Sequence, residues 1–500
     1  MKKQVIFLNA IMTSIQVGVS GIVLFILYWF LLKTIGVEQI GIWSVVLAVV
    51  SVANVASLGL EGSVVKFVAQ YLAGNKYDFI SLLTQTAVIF VTLSMGITLA
   101  FLYPIFKWII GLIVAKDSLA LGISILPIAI LIPLLTAIRT ILQAAINGCQ
   151  RFDITRSVQM IEAILNLLLC FMLVPVYKLK GVAVAFLIPT FVTLVLSWIL
   201  ARKLVHLPFI PYRWDSRVFK EIIFYGVNFQ VISIAVMAYE PVTKSLLSRF
   251  GGLAMVGYFS IAARMVQQLR LLVVSAVEVI VPVVADLKES SIKHIKSLYL
   301  NSYRLLFYIA LPLHSLIIIS APLVSKLWIG SYNSTFVIFT TLIALGYFLD
   351  TLDRPAYHTF LGVGRLHWNV IGAIVVAILN VTLGLFFGIF FNGFGVVVAW
   401  IVSVILGSSV IIIFYHLENK VPLTDLLPMA SRRLALVCLI ATLFFLGILY
   451  KLSYVFNLIV FDIAIVLLFL GAVSIPLWHH SMRDKLISLI FSPKIGVMEN

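Results

Sequence analysis

From the first few residues onward, apolar runs of about twenty residues or more alternate with short polar breaks, and the pattern continues almost to the C-terminus. About 20 apolar residues in a helix cross the hydrocarbon of a bilayer. The runs predict fourteen spanning helices, over residues 7–32, 39–60, 80–103, 119–147, 155–175, 181–204, 218–249, 253–285, 297–320, 335–361, 367–390, 394–416, 432–450 and 455–478. The predicted fold is therefore an all-α polytopic membrane protein. The polar connections, a few tens of residues at most, leave no room for a sizeable soluble domain. Met1-Lys2-Lys3 followed by an apolar run looks like a signal peptide, but the run continues past Phe30 with no small-x-small cleavage site, so it reads as the first span.

Composition agrees: 62% of the 500 residues are hydrophobic and 11% charged, and the mean hydropathy is +1.16, a balance foreign to soluble domains. Of the 35 basic residues, even-numbered loops and termini hold 21, including Arg151, Arg156, Arg202, Lys203, Arg213 and Arg217. Odd-numbered loops hold 8: Lys33, Lys107, Lys116, Lys178, Lys180, Arg249, Lys326 and Lys451. This positive-inside bias fits an even number of helices with both termini in the cytoplasm. It also accounts for much of the net charge of +16 through anionic membrane lipids, without nucleic acid. Cys149, Cys170 and Cys438 lie far apart, with no metal-type spacing.

The Pro-rich, charged segment from Arg202 to Glu221 divides the pattern. It implies a six-helix half over 1–205, a cytoplasmic linker over 206–217, a second six-helix half over 218–420, and two further helices with a tail over 421–500. The halves resemble one another. Gly36-Val-Glu-Gln-Ile-Gly41 matches Gly252-Leu-Ala-Met-Val-Gly257 at an offset of 216. At an offset of 214, Gly148 and Arg151 meet Gly362 and Arg365, Ala163-Ile-Leu-Asn166 meets Ala377-Ile-Leu-Asn380, and Gly181-Val-Ala-Val-Ala185 meets Gly395-Val-Val-Val-Ala399. Six helices per copy give parallel, pseudo-symmetric repeats, with a site expected between them near the midplane.

Ionised groups inside hydrocarbon are costly and mark partners or water-filled paths. The spans hold Arg139, Lys244, Arg264, Arg270, Arg304 and Arg354, against Glu162, Glu240, Glu278, Asp350, Asp353 and Asp462. Glu240–Lys244 and Asp350–Arg354 are spaced i,i+4 and can neutralise each other. Arg139 and Arg264 have no such local acid. Arg264 lies roughly 17 Å into its span at about 1.5 Å per residue, near the midplane. It shares a helical face with Gln268, Ser275 and Glu278, which reads as a cavity wall or as one side of an interhelical salt bridge. In spans one and two, Asn9, Thr13, Gln16 and Ser20, and then Ser44, Ser51 and Asn54, form polar stripes that suit either helix packing or a shared lining. Residues 61–78 read as a short amphipathic interfacial helix.

Gly36 and Gly41 at the start of span two, Leu58-Gly59-Leu60 at its end, and Lys66-Phe67-Val68-Ala69-Gln70-Tyr71 after it resemble the multidrug/oligosaccharidyl-lipid/polysaccharide exporter superfamily. The likeness is best to its polysaccharide branch, the flippases of O-antigen or capsule repeat units. That resemblance implies transport rather than catalysis, with no cofactor. The cargo would be an oligosaccharide on undecaprenyl pyrophosphate, moved by alternating access between the halves. Guanidinium forks bind phosphate bidentately, and more strongly where the dielectric is low. The candidate substrate residues are Arg264, Arg139, Lys244, Arg270, Gln268, Asn9, Gln16 and Asn54. Glu278 and Asp353, lacking i,i+4 bases, are the candidates for coupling to H+ or Na+. The resembling flippases of the peptidoglycan precursor carry arginines in the first helix. Here that helix has no basic residue before Lys33, which speaks against their substrate. A multidrug/cation antiporter of the same superfamily predicts acid-dominated cavities, whereas acids and bases balance here. A membrane glycosyltransferase or polymerase predicts a large extracytoplasmic loop or a nucleotide-sugar site, and neither is visible; the histidines are scattered or interfacial.

Overall fold

The computed structural model describes residues 3–57, 59–275, 292–452 and 458–484. Among them the chain forms helices, two short 3-10 turns and no strand. Helices satisfy every backbone group within one segment, which hydrocarbon demands because it offers no water.

The helices are α1 (Lys3–Thr34), α2 (Gly36–Ser51), α3 (Leu60–Ala73), α4 (Tyr77–Ile113), α5 (Lys116–Gly148), α6 (Phe152–Val205), α7 (Ser216–Ser275), α8 (Ile292–Ile329), α9 (Ser334–Thr351), α10 (Arg354–Val363), α11 (His367–Glu418), α12 (Met429–Leu452) and α13 (Ile459–Trp478). Eleven helical segments among the described residues are long and apolar enough to cross a membrane. Three of the long helices are broken by a single non-helical residue: α6 at Lys178, α7 at Gly252 and α11 at Asn392. Each break divides one apolar segment into two passes, which accounts for the fourteen expected from sequence. The amphipathic helix expected over 61–78 is α3, which buries Leu60, Val64, Phe67 and Val68 on one face but ends at Ala73, before Gly74 and Asn75, with Tyr77 and Asp78 opening α4.

The repeat is written in the backbone as well as in the side chains. Gly36 and Gly252, 216 residues apart, both have positive φ, 78° and 79°. Lys178 and Asn392, 214 apart, both sit at the break of a long helix with φ of 49° and 53°. Side chains resist that region, so two breaks at equivalent places indicate one inherited geometry. Gly181 and Gly395 pack against the backbone of Leu173 and Phe387, which are again 214 apart.

The helices form two compact units. One holds residues 1–257 with 384–396, the other 258–383 with 397–500. In the first, α5 packs along α6 and α4, α1 along α6, and α3 along α5. In the second, α8 is central and touches α9, α12 and α13. Its core has an aromatic cluster of Tyr299, Tyr303, Phe307, Phe360 and Tyr415. Tyr308, Ile319, Leu434, Cys438, Ile465 and Phe469 form a second cluster, which seats α12 and α13 on α8.

Candidate functional site

A charge in hydrocarbon is tolerable when a partner and further hydrogen bonds replace its water. In the first unit Arg139, on α5, pairs with Glu162 and donates to Thr193 Oγ1 at 2.8 Å. Glu162 and Thr193 lie on the two arms of α6, and Thr190 donates to Glu162 at 3.4 Å. One turn along α5, Gln143 donates to Ser197 at 3.4 Å. Sequence offered Arg139 no local acid. The partner is on the next pass, and interhelical pairing leaves no mark in local spacing. Lys244 pairs with Glu240, as its i,i+4 spacing implies.

The second unit gathers four charges. Asp350, at the end of α9, receives Arg270 from α7 and Arg354 from α10, the latter at 2.8 Å. Arg354 also faces Asp353 at 2.9 Å. Ser408 of α11 donates to Asp350 at 3.4 Å, and the Arg270 guanidinium lies 5.3 Å from the Tyr347 ring. Two cations and two anions make the cluster neutral, which permits its burial; Asp353 is 1% exposed. Arg139 and Asp353 stand 214 residues apart, so equivalent places in the two repeats hold opposite charges inside separate networks.

The polar stripes fare differently. Gln16 donates to Ser20 at 3.1 Å along α1. Asn54 lies half-buried in the 3-10 turn Val52–Ser57, where its carbonyl accepts from Ser57. Asn9 belongs to α1 with its side chain outside the described residues, and Glu278 lies outside them altogether. Gln268 is half-buried on α7. Among the six basic residues placed within the spans, all of them described, Arg264 is the exposed one; the others are buried or half-buried.

One pair escaped the sequence reading. Lys326 was expected in an outside loop, but α8 continues to Ile329 and buries it against Asp462 of α13 at 2.8 Å, both side chains 1% exposed. A lone Asp near the start of one apolar run and a lone Lys near the end of another was the available signal. Among the described residues no group of three His, Cys, Asp or Glu side chains could hold a metal ion.

The profile of a family described as "Polysaccharide biosynthesis protein" matches residues 6–288, more than half of the chain. No curated protein sequence matches. Among solved structures, lipid II flippase MurJ in an inward closed conformation superposes with a TM-score of 0.69 at 16% identity, covering 95% of this chain and 100% of that one. An inward-facing multidrug resistance MATE family transporter of the MOP superfamily gives 0.70 at 15%, covering 79% and 94%. A MOP superfamily transporter from Pyrococcus furiosus gives 0.55 at 15%, covering 84% and 94%. The chain thus shares the fold of these three structures.

Proposed function

The chain belongs to the polysaccharide biosynthesis protein family, and from that premise we propose that it is a flippase, which carries an oligosaccharide on undecaprenyl pyrophosphate across the inner membrane. The lipid tail stays in the bilayer while the sugar headgroup crosses a polar path by alternating access between the two six-helix halves.

The exposure of Arg264 on a membrane-length helix carries this reading. Hydrocarbon would penalise an exposed guanidinium, whereas a path for a pyrophosphate requires one. Gln268, one turn on, would meet sugar hydroxyls, as would Gln16, Asn54 and Asn9 from the first half. Arg139, Lys244 and Arg270 add positive potential, tempered by Glu162, Glu240 and Asp350. Transport driven by H+ or Na+ would use a carboxylate within the spans, for which the buried Asp353 and, from its sequence position, Glu278 are the candidates.

The test is flipping of a fluorescent undecaprenyl-pyrophosphate oligosaccharide in proteoliposomes. Loss of a charge-assisted hydrogen bond costs about 1.5–3 kcal/mol, roughly tenfold or more in binding. Arg264→Ala should flip at least tenfold more slowly with normal yield. Arg264→Lys should retain part of the rate, keeping charge without the fork. A wild-type rate for Arg264→Ala overturns the proposal.

A further inference from the structure

The segment joining the two repeats is fastened to the protein rather than slung between helices. After α6, His206 takes a left-handed conformation, φ 55° and ψ 45°, and turns the chain aside. Gln85 of α4, buried to 3% exposure, accepts from the backbone N–H groups of both Tyr212 and Arg213 at 3.2 Å. Its amide donates to Ser81, and Ser81 in turn donates to the His206 carbonyl at 3.2 Å. The Thr86 hydroxyl takes Asp215 N–H at 3.4 Å. Asp215 then caps α7 by accepting from Arg217 and Val218 N–H. Trp214 packs on Phe219 and Phe219 on Phe90, with ring centroids 4.8 and 4.7 Å apart.

Fastened this way, the segment buries Leu207 and turns four other large side chains outward. Phe209 is 74% exposed, Ile210 67%, Tyr212 67% and Trp214 44%. Basic residues are set among them. The Arg202 guanidinium lies 5.3 Å from the Phe209 ring and that of Arg213 5.6 Å from the Tyr212 ring. Arg217, Lys220 and the exposed Phe224 fall on one face of α7 at offsets of three and seven. Residues 202–221 hold five Arg and Lys against two acids, Asp215 and Glu221. Asp215 is occupied by the helix cap, and Glu221 takes the Tyr71 hydroxyl at 3.4 Å.

We propose that residues 206–215 and the first turns of α7 form an interfacial anchor that binds the headgroups of anionic phospholipids. The segment lies where α4 and α7 begin and α6 ends, and the ends of membrane-length helices are where hydrocarbon gives way to headgroups. Trp and Tyr, with an apolar ring and a polar edge, settle there, the wholly apolar Phe209 and Ile210 can dip into the hydrocarbon below, and a leaflet of anionic lipid complements the surplus of Arg and Lys. A soluble acidic partner would meet the charge but would leave Phe209 and Ile210 in water whenever it departed. The anchor holds the junction of the two repeats at a fixed height in the membrane, and it does so whatever the transported cargo is.

The test places a nitroxide at Ile210→Cys in a Cys149→Ser background, since Cys170 and Cys438 are buried. Collisions with oxygen and with a water-soluble nickel chelate are compared in phosphatidylcholine vesicles with and without phosphatidylglycerol. The anchor predicts oxygen-dominated relaxation in both, and a further fall of at least twofold in nickel access when phosphatidylglycerol is present. Arg213→Gln/Arg217→Gln/Lys220→Gln, three exposed positions, should abolish that further fall. Three results overturn the proposal: nickel-dominated relaxation, a phosphatidylglycerol response unchanged in the triple variant, or a label shielded from both agents, which would mean that protein covers the segment.

Discussion

Gly41 and Gly257 form a reciprocal contact between the two repeats. A Cβ on Gly41 would lie 2.9 Å from the carbonyl carbon of Leu253 and 3.3 Å from Gly257 N. A Cβ on Gly257 would lie 3.1 Å from the carbonyl carbon of Val37 and 2.6 Å from its Cγ2. Val37 and Leu253 are 216 residues apart, as are Gly41 and Gly257, so each glycine closes on the residue four before its own counterpart. Lipid gives no hydrophobic drive for helices to associate, and small residues that let backbones touch supply the packing instead.

Adding one methyl group here forces two backbones apart. Overpacking costs about 1–3 kcal/mol, so Gly41→Ala and Gly257→Ala should each lower the melting temperature of the purified protein. The double variant should lose less than the sum, because one displacement relieves both clashes. Gly18→Ala, where a Cβ meets nothing within 4 Å, is the control and should melt like the wild type. An equal loss at Gly18 would show that the contact has no special role.

The Lys326–Asp462 pair ties α13 to α8. Removing one partner of a buried pair typically costs about 3–5 kcal/mol, whereas replacing both with apolar groups costs far less. Asp462→Asn should therefore melt well below the wild type, and Lys326→Met/Asp462→Leu should recover most of the loss. A double variant as unstable as Asp462→Asn would mean that Lys326 and Asp462 act through other neighbours.

Much of this fold was legible because a membrane writes it in large letters: apolar run length gives the passes, and the Gly36/Gly252 and Gly181/Gly395 spacings give the repeat. The α3 face was readable from its period. Local pairs such as Glu240–Lys244 were readable too, because i,i+4 spacing is set by the helix itself. Arg139–Glu162, Arg270–Asp350 and Lys326–Asp462 were not. They depend on which passes lie side by side, and helices that are greasy all round carry no period to tell. The hold of Gln85 on Tyr212 and Arg213 was invisible for a related reason, since its acceptor serves backbone groups that any residue supplies.

Asp353 separates a structural from a coupling role. If the cluster around Asp350 serves folding alone, Asp353→Asn should lower yield and melting temperature, and the protein that remains should keep its gradient dependence. If Asp353 exchanges an ion or proton during export, the variant should fold, and the flipping rate should no longer rise with an imposed H+ or Na+ gradient. Full flipping with an undiminished gradient response would exclude Asp353 from coupling.

His480 gives the stability a pH dependence. It lies just past α13, 2% exposed, with Nε2 at 3.1 Å from the Ser431 hydroxyl of α12 and Nδ1 accepting from Met482 N–H. The Tyr308 ring stands 4.8 Å away, so the imidazole joins α8, α12 and the end of α13. Loss of water around it lowers its pKa below the ordinary 6.5. A His held neutral in the folded state contributes stability above its unfolded pKa. As pH falls below about 6.5 the unfolded chain gains a proton that the folded chain resists, and stability declines. His480→Gln keeps hydrogen-bonding capacity and removes the titration. Its melting temperature should fall less between pH 8 and about pH 5.5 than that of the wild type, which still carries every other histidine that titrates in both proteins. Parallel pH profiles for the two would rule out His480 as the group responsible.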